Sequence, residues 1–256
     1  LCEKTGGLGG ALLCEETVPF KEKLALYLAR QARRVARAGV EVRLNTAVTP
    51  ELAAEIAPDV IIASLGARPV VPNIPGMDGE IVVLAEDVYR DPSRAGQTAV
   101  IMGGGLVGLE LGIFLAQSGR EVSIVEMASS TLATQEELAT SERIGKPLEL
   151  EPDANIVHGI ALAQQLKKLP SLKVFTSTKA LEVTPSGLVV EGRGGVHTLA
   201  ADTVICAVGQ RALSDESLAL NNLAPEFYML GDCVAPKNIR AATAAAYQLA
   251  RDIGRM

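Results

Sequence analysis

An α/β fold of layered parallel sheets, with a small antiparallel meander, is what the sequence predicts. An apolar strand, a glycine turn and a helix recur along the chain, the pattern of parallel sheets joined by crossover helices. The stretch 172–199 is different: its β-branched residues are broken by Pro185-Ser186-Gly187 and by the Gly192–Gly195 cluster, at hairpin spacing. At 256 residues with 48% hydrophobic content, the chain can fill one large domain or two modest ones.

The elements follow in order. Residues 1–4 read as a strand tail before the cluster Gly6-Gly7-Leu8-Gly9-Gly10. From about 20 to 38, Leu24, Leu28, Ala32 and Val35 form one apolar helical face, with Pro19 at the entry and Gly39 at the C′ position. Lys21, Lys23, Arg30, Arg33, Arg34 and Arg37 fall mostly on the solvent side. A solvated helix face is favoured for them over an anion-binding patch. Residues 40–44 read as a strand, 50–56 as a short helix and 60–64 as a buried strand ending at Leu65-Gly66-Ala67. Pro69, Pro72 and Pro75 make 68–79 an irregular crossing. A second unit then opens with strand 98–102, helix 106–117 and strand 121–126. Residues 127–152 carry only a weak helical signal around 136–143. A helix at 156–169, the meander, strand 203–208, strand 228–230 and an alanine-rich helix at 240–251 complete the chain.

Composition removes several classes of function. A net charge of −6 offers no basic footprint for nucleic acid, and 3% aromatics without Trp offer no stacking platform. No apolar run reaches the ~18–20 residues of a membrane span. Cys2, Cys14, Cys206 and Cys233 are far apart and form no CxxC pair, so neither a disulfide framework nor a cysteine metal site is expected, and a cytoplasmic setting is. His158 and His197 read as isolated. No secretory leader is expected from the opening Cys2-Glu3-Lys4, and the start without Met raises the expectation that the chain begins inside a larger protein.

The chemistry concentrates at 99–110. There Gly103-Gly104-Gly105-Leu106-Val107-Gly108 places G-x-G-x-x-G between an apolar strand and a helix. Gly103 permits the tight turn, Gly105 lets backbone approach a pyrophosphate, and Gly108 allows close helix–strand packing. The helix N-terminus, opening at Leu106 and Val107, presents free N–H groups and a positive dipole end to phosphate. Glu126 ends the next strand 23 positions after Gly103, near the ~20 expected of the acid that binds the ribose. A carboxylate there repels a 2′-phosphate, and 127–130 hold no Arg or Lys to offset it, so NADH is expected over NADPH. Glu110 has two readings, a carboxylate offsetting the helix dipole or a polar group aimed at a nicotinamide–flavin contact. Glu3 and Asp232 also end strands. Asp232 suits either a polyol hydroxyl or an ordinary strand-to-loop turn.

These motifs, with Ser64-Leu65-Gly66-Ala67-Arg68-Pro69, Ala207-Val208-Gly209-Gln210-Arg211 and Gly231-Asp232-Cys233, resemble the two-dinucleotide-domain flavoproteins. Within them the likeness is to the C-terminal portion of Old Yellow Enzyme-like NADH:flavin oxidoreductases, the 2,4-dienoyl-CoA reductase and trimethylamine dehydrogenase type. The resemblance implies two three-layer Rossmann-like domains, an NAD-binding one at 96–211 inserted into an FAD-type one at 1–95 and 212–256. By that likeness the first βα unit of the FAD-type domain is expected to lie outside this sequence. It implies FAD contacts at Glu3, Lys4, Gly66, Ala67, Gly231 and Asp232, with Thr243 nearby. NADH contacts are implied at Gly103 to Gly108 and Glu126, with Gly209 at the crossing. No catalytic residue and no metal ligand is expected in this chain, the hydride passing between cofactors. FMN, an iron–sulfur cluster and substrate would belong to an N-terminal barrel partner domain, and homo-oligomerisation stays open. The alternatives are a thioredoxin-reductase-like or ferredoxin-reductase-like enzyme, or a non-catalytic nucleotide-binding or assembly domain.

Overall fold

The computed structural model describes residues 1–131 and 156–254; the helical signal at 136–143 lies outside the described residues. The chain divides into two compact units, one of Leu1–Glu16, Phe20–Pro69 and Gln210–Met256, the other of Thr17–Pro19 and Val70–Gly209. The divisions fall after Pro69 and Gly209, not after 95 and 211 as the sequence suggested. Strand β3 (Val82–Leu84) runs parallel to β10 (Thr203–Cys206) and so belongs to the second unit. Strand β11 (Gln210–Ala212) pairs antiparallel with β2 (Ala67–Pro69) and so belongs to the first.

The second unit is built on a parallel sheet in the order β3-β10-β4-β5-β6, where β4 is Thr98–Met102, β5 Glu121–Val125 and β6 Leu172–Phe175. Side-chain alternation sorts its two faces. Val100, Met102, Val125, Val204 and Cys206 point into one core cluster, which the meander β7 (Lys179–Thr184), β8 (Gly187–Gly192) and β9 (Gly195–Ala200) closes with Val183, Leu188 and Val190. The opposite face carries α4 (Leu106–Gln117), flanked by α3 (Ala85–Arg90) and α5 (Ile156–Lys167). Helix α4 is apolar almost all round, and eight of its twelve residues are buried, as a helix covered on several sides requires. Its packing on the sheet depends on Gly112, where a Cβ would stand 2.8 Å from Ile124 Cδ1. Residues 172–175, expected at the start of the meander, lie instead beside β5 as the last strand of the parallel sheet.

In the first unit β1 (Val60–Ala63) and β12 (Glu226–Met229) pair in parallel, so Ala63 and Met229 end side by side. Ala53, Ala63 and Leu220 are its small buried core, with Ile61, Phe227 and Met229 packed against them. Helix α1 (Glu22–Arg37) has the expected extent, and Gly39 follows it at φ +71°. Helix α2 (Pro50–Ile56) starts where Thr49 accepts a hydrogen bond from Leu52 N–H, with Pro50 in the first turn. A short α6 (Ser214–Leu218) precedes β12, and α7 (Ile239–Asp252) is capped by Asn238, which accepts from Ala241 N–H at 2.9 Å. The strand expected at 40–44 reduces to a single parallel bridge between Cys2 and Arg43. Two hydrogen bonds hold it, Glu3 N–H to Arg43 O at 2.9 Å and Arg43 N–H to Leu1 O at 2.8 Å. Apolar residues at 40, 42 and 44 set up extended backbone, but a strand also needs a ladder, and no longer one forms there among the described residues.

No helix of the described residues is long and apolar enough to cross a membrane.

Candidate functional site

The glycine turn of the second unit sits at the carboxyl ends of the parallel strands. Gly103 N–H donates to Val125 O at 2.8 Å, and Ala207 N–H donates to Met102 O at 2.9 Å, so the turn is held between neighbouring strand ends. Gly103 has φ +107°, and a Cβ on it would meet Ala207 O at 2.3 Å. Gly108 lies so close beneath the turn that a Cβ would stand 1.9 Å from Gly103 O. Gly105 differs in kind. It is the N-cap of α4 with ordinary backbone, no side chain caps the helix there, and a Cβ on it would meet none of the described residues within 4 Å. Gly105 thus stands uncrowded by the described residues at the N-terminus of α4, where anions are favoured. Leu106 is exposed beside it and Val107 half-buried, its carbonyl accepting from Tyr89 Oη at 3.3 Å.

Glu126 closes the other side. Its Oε2 accepts from Gly104 N–H at 2.7 Å and its Oε1 from Ala128 N–H at 2.8 Å. Such charge-assisted bonds are the stronger kind, and they fix the carboxylate against the turn. Each oxygen keeps a lone pair for a further donor. Gly104 must be glycine for the same reason, since a Cβ would lie 2.8 Å from both Glu126 Cβ and Thr131 Cγ2. Thr131, buried beneath Gly104, is a member of this wall that no sequence motif signals.

Glu110 lies one turn further along α4 and is buried, 5% exposed. Its Oε1 is 3.0 Å from His158 Nε2 on α5. His158 is therefore not isolated, as the sequence suggested. The two residues are 48 positions apart and on different helices, so no local spacing could have paired them.

In the first unit Glu3 makes a turn of the same kind as Glu126. Its Oε1 accepts from Thr5 N–H and from Thr5 Oγ1, both at 2.8 Å. Lys4 is exposed beside it. Gly66 (φ +81°) and Gly231 (φ +76°) follow the paired strands β1 and β12, and a Cβ on either would meet nothing within 4 Å among the described residues. Ala67 is half-buried at the start of β2, and Asp232 Oδ1 accepts from Lys237 N–H at 3.2 Å ahead of α7. The structure thus gathers Glu3's neighbourhood, Gly66, Ala67, Gly231 and Asp232 in one unit, and Gly103 to Gly108, Glu110, Glu126 and Gly209 in the other. Thr243 is exposed on α7, its hydroxyl bonded to Ile239 O at 2.9 Å.

All four cysteines are free thiols. Burial pushes the Cys206 thiol above its ordinary pKa, and its sulfur points at Val70 O, 3.3 Å away. Cys233 is fully buried with Sγ near Ala63 O and Leu230 O. Among the described residues no group of His, Cys, Asp and Glu could hold a metal ion.

The family described as pyridine nucleotide-disulphide oxidoreductase matches residues 11–248. The chain belongs to that family. As such it is an FAD/NAD(P)-dependent oxidoreductase domain, and the likeness to the C-terminal portion of Old Yellow Enzyme-like reductases, drawn above from motifs, holds. Cinnamate reductase of Clostridium sporogenes is 29% identical over 99% of this chain and 35% of its own length. The metal reductase of Desulforamulus reducens is 31% identical over 96% of this chain and 39% of its own length. The chain thus spans little more than a third of these relatives. A structure of 2-naphthoyl-CoA reductase with 2-naphthoyl-CoA superimposes with TM-score 0.83 at 24% identity, covering 97% of this chain and 35% of that one. Histamine dehydrogenase from Rhizobium sp. 4-9 gives TM-score 0.77 at 14% identity, over 99% and 38%. At these identities the two structures support the fold of this family member and nothing finer.

Proposed function

We propose that this family member is the NADH-binding flavoprotein module of an NADH:flavin oxidoreductase, with the second unit as its NAD-binding Rossmann-like domain and the first as its FAD-type domain. Bound NADH would supply a hydride and bound FAD would accept it, chemistry that resides in the cofactors. The chain's residues bind and orient. The open N-terminus of α4 takes the NADH diphosphate, with Gly105 leaving room for it and Leu106, Val107 and Gly108 opening the helix. Glu126 uses its remaining lone pairs on the two adenosine ribose hydroxyls, and its charge rejects a 2′-phosphate. Glu3, Lys4, Gly66, Ala67, Gly231 and Asp232 hold FAD, and Gly209 lies on the crossing between the domains. The whole protein's acceptor, and any FMN, iron–sulfur cluster or barrel domain, would belong to the part of the relatives' length that this chain does not span.

One observation carries this reading: Glu126 is fastened to the Gly104 amide at 2.7 Å, while no described residue lies within 4 Å of where a Cβ on the neighbouring Gly105 would stand. Titration of the intact chain with NADH and NADPH, followed by nucleotide fluorescence, tests it. NADH is expected to bind at least about tenfold tighter than NADPH, because a like charge meets Glu126. Gly105→Val keeps the fold and is expected to cost at least about tenfold in NADH affinity, since the side chain occupies the diphosphate's place. Unchanged affinity in Gly105→Val, or equal binding of the two nucleotides, overturns the reading.

A further inference from the structure

Strand β9 is an edge of the three-stranded meander, with β8 on one side only. Its ladder decides which backbone groups it turns outward. The register runs unbroken from Gly187↔Ala200 to Gly192↔Gly195, and Ala201 N–H donates to Ser186 O at 3.2 Å on the same register. Hydrogen-bonded positions alternate along an antiparallel ladder. Gly195, His197 and Leu199 therefore bond to β8, while Val196, Thr198 and Ala200 turn N–H and C=O away from it. Among the described residues nothing hydrogen-bonds to those three on the outer side. Edge strands are ordinarily blunted by charge, proline, a bulge or shortness. Strand β9 uses none of these devices. Gly-Val-His-Thr-Leu-Ala holds no Lys, Arg, Asp, Glu or Pro, its ladder to β8 has no bulge, and it is six residues long. Val196 is 62% exposed, and Thr198 and Ala200 are exposed on the same face.

We propose that β9 is the interface strand of a twofold dimer of this chain, pairing antiparallel with β9 of a second copy about an axis at Thr198. The register selects that occupant. Outward positions fall symmetrically about Thr198, so a twofold axis sets Thr198 against the partner's Thr198 and Val196 against the partner's Ala200, each an outward, hydrogen-bonding pair. Thr–Thr and apolar cross-strand pairs stabilise a sheet, and no like charges face each other within this ladder. The strand's ends are complementary as well. Arg193 is exposed in the turn before β9 and Asp202 is exposed just after it. Antiparallel pairing brings the Arg193 end of one copy to the Asp202 end of the other, whereas parallel pairing would set like ends together. This inference does not depend on the dinucleotide reading.

Sedimentation velocity of the intact chain, from micromolar to sub-millimolar protein, is the test. The wild type is expected to pass from monomer to dimer as concentration rises and to stop there, because a twofold interface closes on itself. Thr198→Lys and Thr198→Glu each set two like charges opposite one another across the axis, and association at least about tenfold weaker is expected of both. The substituted side chain is exposed and its backbone does not bond to β8, so the hairpin itself is left intact. An equimolar mixture of the two variants is expected to associate as the wild type does, since Lys then faces Glu. A wild type that stays monomeric overturns the proposal and leaves the edge to another occupant. Single variants that associate as strongly as the wild type overturn it too, because the contact then lies elsewhere. A mixture no stronger than either variant alone rules out an axis at Thr198, and assembly that continues beyond the dimer rules out a closed pair.

Discussion

Replacing Gly108 by alanine should destabilise the second unit, although glycine-to-alanine changes inside helices ordinarily stabilise by about 1 kcal/mol. The added Cβ would lie 1.9 Å from Gly103 O and 3.5 Å from Ile101 Cγ2. Carbon–oxygen contacts of this kind normally begin near ~3.3 Å, so α4 or the turn must retreat by more than an ångström. The turn has little to give. Gly103 is held at φ +107° with Ala207 O already 2.3 Å from where its own Cβ would be, and its N–H is bonded to Val125 O. Overpacking of this order costs about 1–3 kcal/mol, and a clash with backbone sits at the upper end of that range. After subtracting the helix-propensity gain, a net loss of about 2 kcal/mol remains. For a protein of this size that is a fall in Tm of roughly 4–8 °C. Gly105→Ala is the matched control, the same methyl added three residues away where it meets nothing within 4 Å among the described residues. Its cost is limited to the poorer N-cap, less than about 1 kcal/mol. Scanning calorimetry of the two variants beside the wild type is the measurement. A Gly108→Ala protein as stable as the wild type, or a Gly105→Ala protein that falls just as far, refutes the packing argument.

Two further outcomes follow from titratable groups. Asp202 joins the starts of β4 and β10: its Oδ2 accepts from Thr98 N–H at 2.8 Å while its own N–H donates to Thr98 Oγ1, and the Thr98 amide and hydroxyl hold its carboxyl below the usual aspartate range. A depressed folded pKa stabilises above the unfolded value of about 3.9 and loses that contribution as pH falls through the folded one. The stability gap between wild type and Asp202→Asn should therefore be full above about pH 4 and close below it, and a gap in urea midpoint that ignores pH would contradict this. Cys206, its thiol pushed up by burial, should stay unlabelled by iodoacetamide in the native state while half-buried Cys2 reacts; equal labelling in a peptide mass map would count against it.

Legibility in the sequence followed the range of the interactions involved. The strand–turn–helix at 98–117 was readable because its glycines, its apolar strand and its helix lie within twenty residues, and each obeys a local steric rule. The helices 22–37, 50–56 and 239–252 are readable from periodicity and composition, the first also from its end signals Pro19 and Gly39. The strand Val82–Leu84 has no local signal, because three residues after a proline-rich crossing carry no period, and only the ladder to β10 makes them a strand. Strand β6 is ambiguous in sequence, since Leu-Lys-Val-Phe reads alike in a hairpin and at a sheet edge; its partner, β5, is about fifty residues earlier in the chain. The pairing of Glu110 with His158 was hidden for the same reason, as were Thr131 beneath Gly104 and the need for Gly112 against Ile124.

The two strand-end acids show how much a sequence pattern leaves open. Glu126 and Glu3 each follow an extended segment and each accept a hydrogen bond from the backbone N–H two residues on, Ala128 in one case and Thr5 in the other. A carboxylate turning back on its own chain is a local device and needs nothing further from the fold. What separates them is the second oxygen of Glu126, which reaches across to Gly104 and couples the acid to a glycine turn from another strand end. That long-range bond fixes the acid against the turn that leads into α4, and preorganisation of this kind would lower the entropic cost of binding the dinucleotide proposed above. Glu3 bonds locally to Thr5 among the described residues, by two hydrogen bonds from the amide and hydroxyl of that one residue. A dinucleotide site is accordingly best supported in the second unit, where two elements distant in sequence constrain each other, and there the Gly105 and Glu126 measurements bear on it most directly.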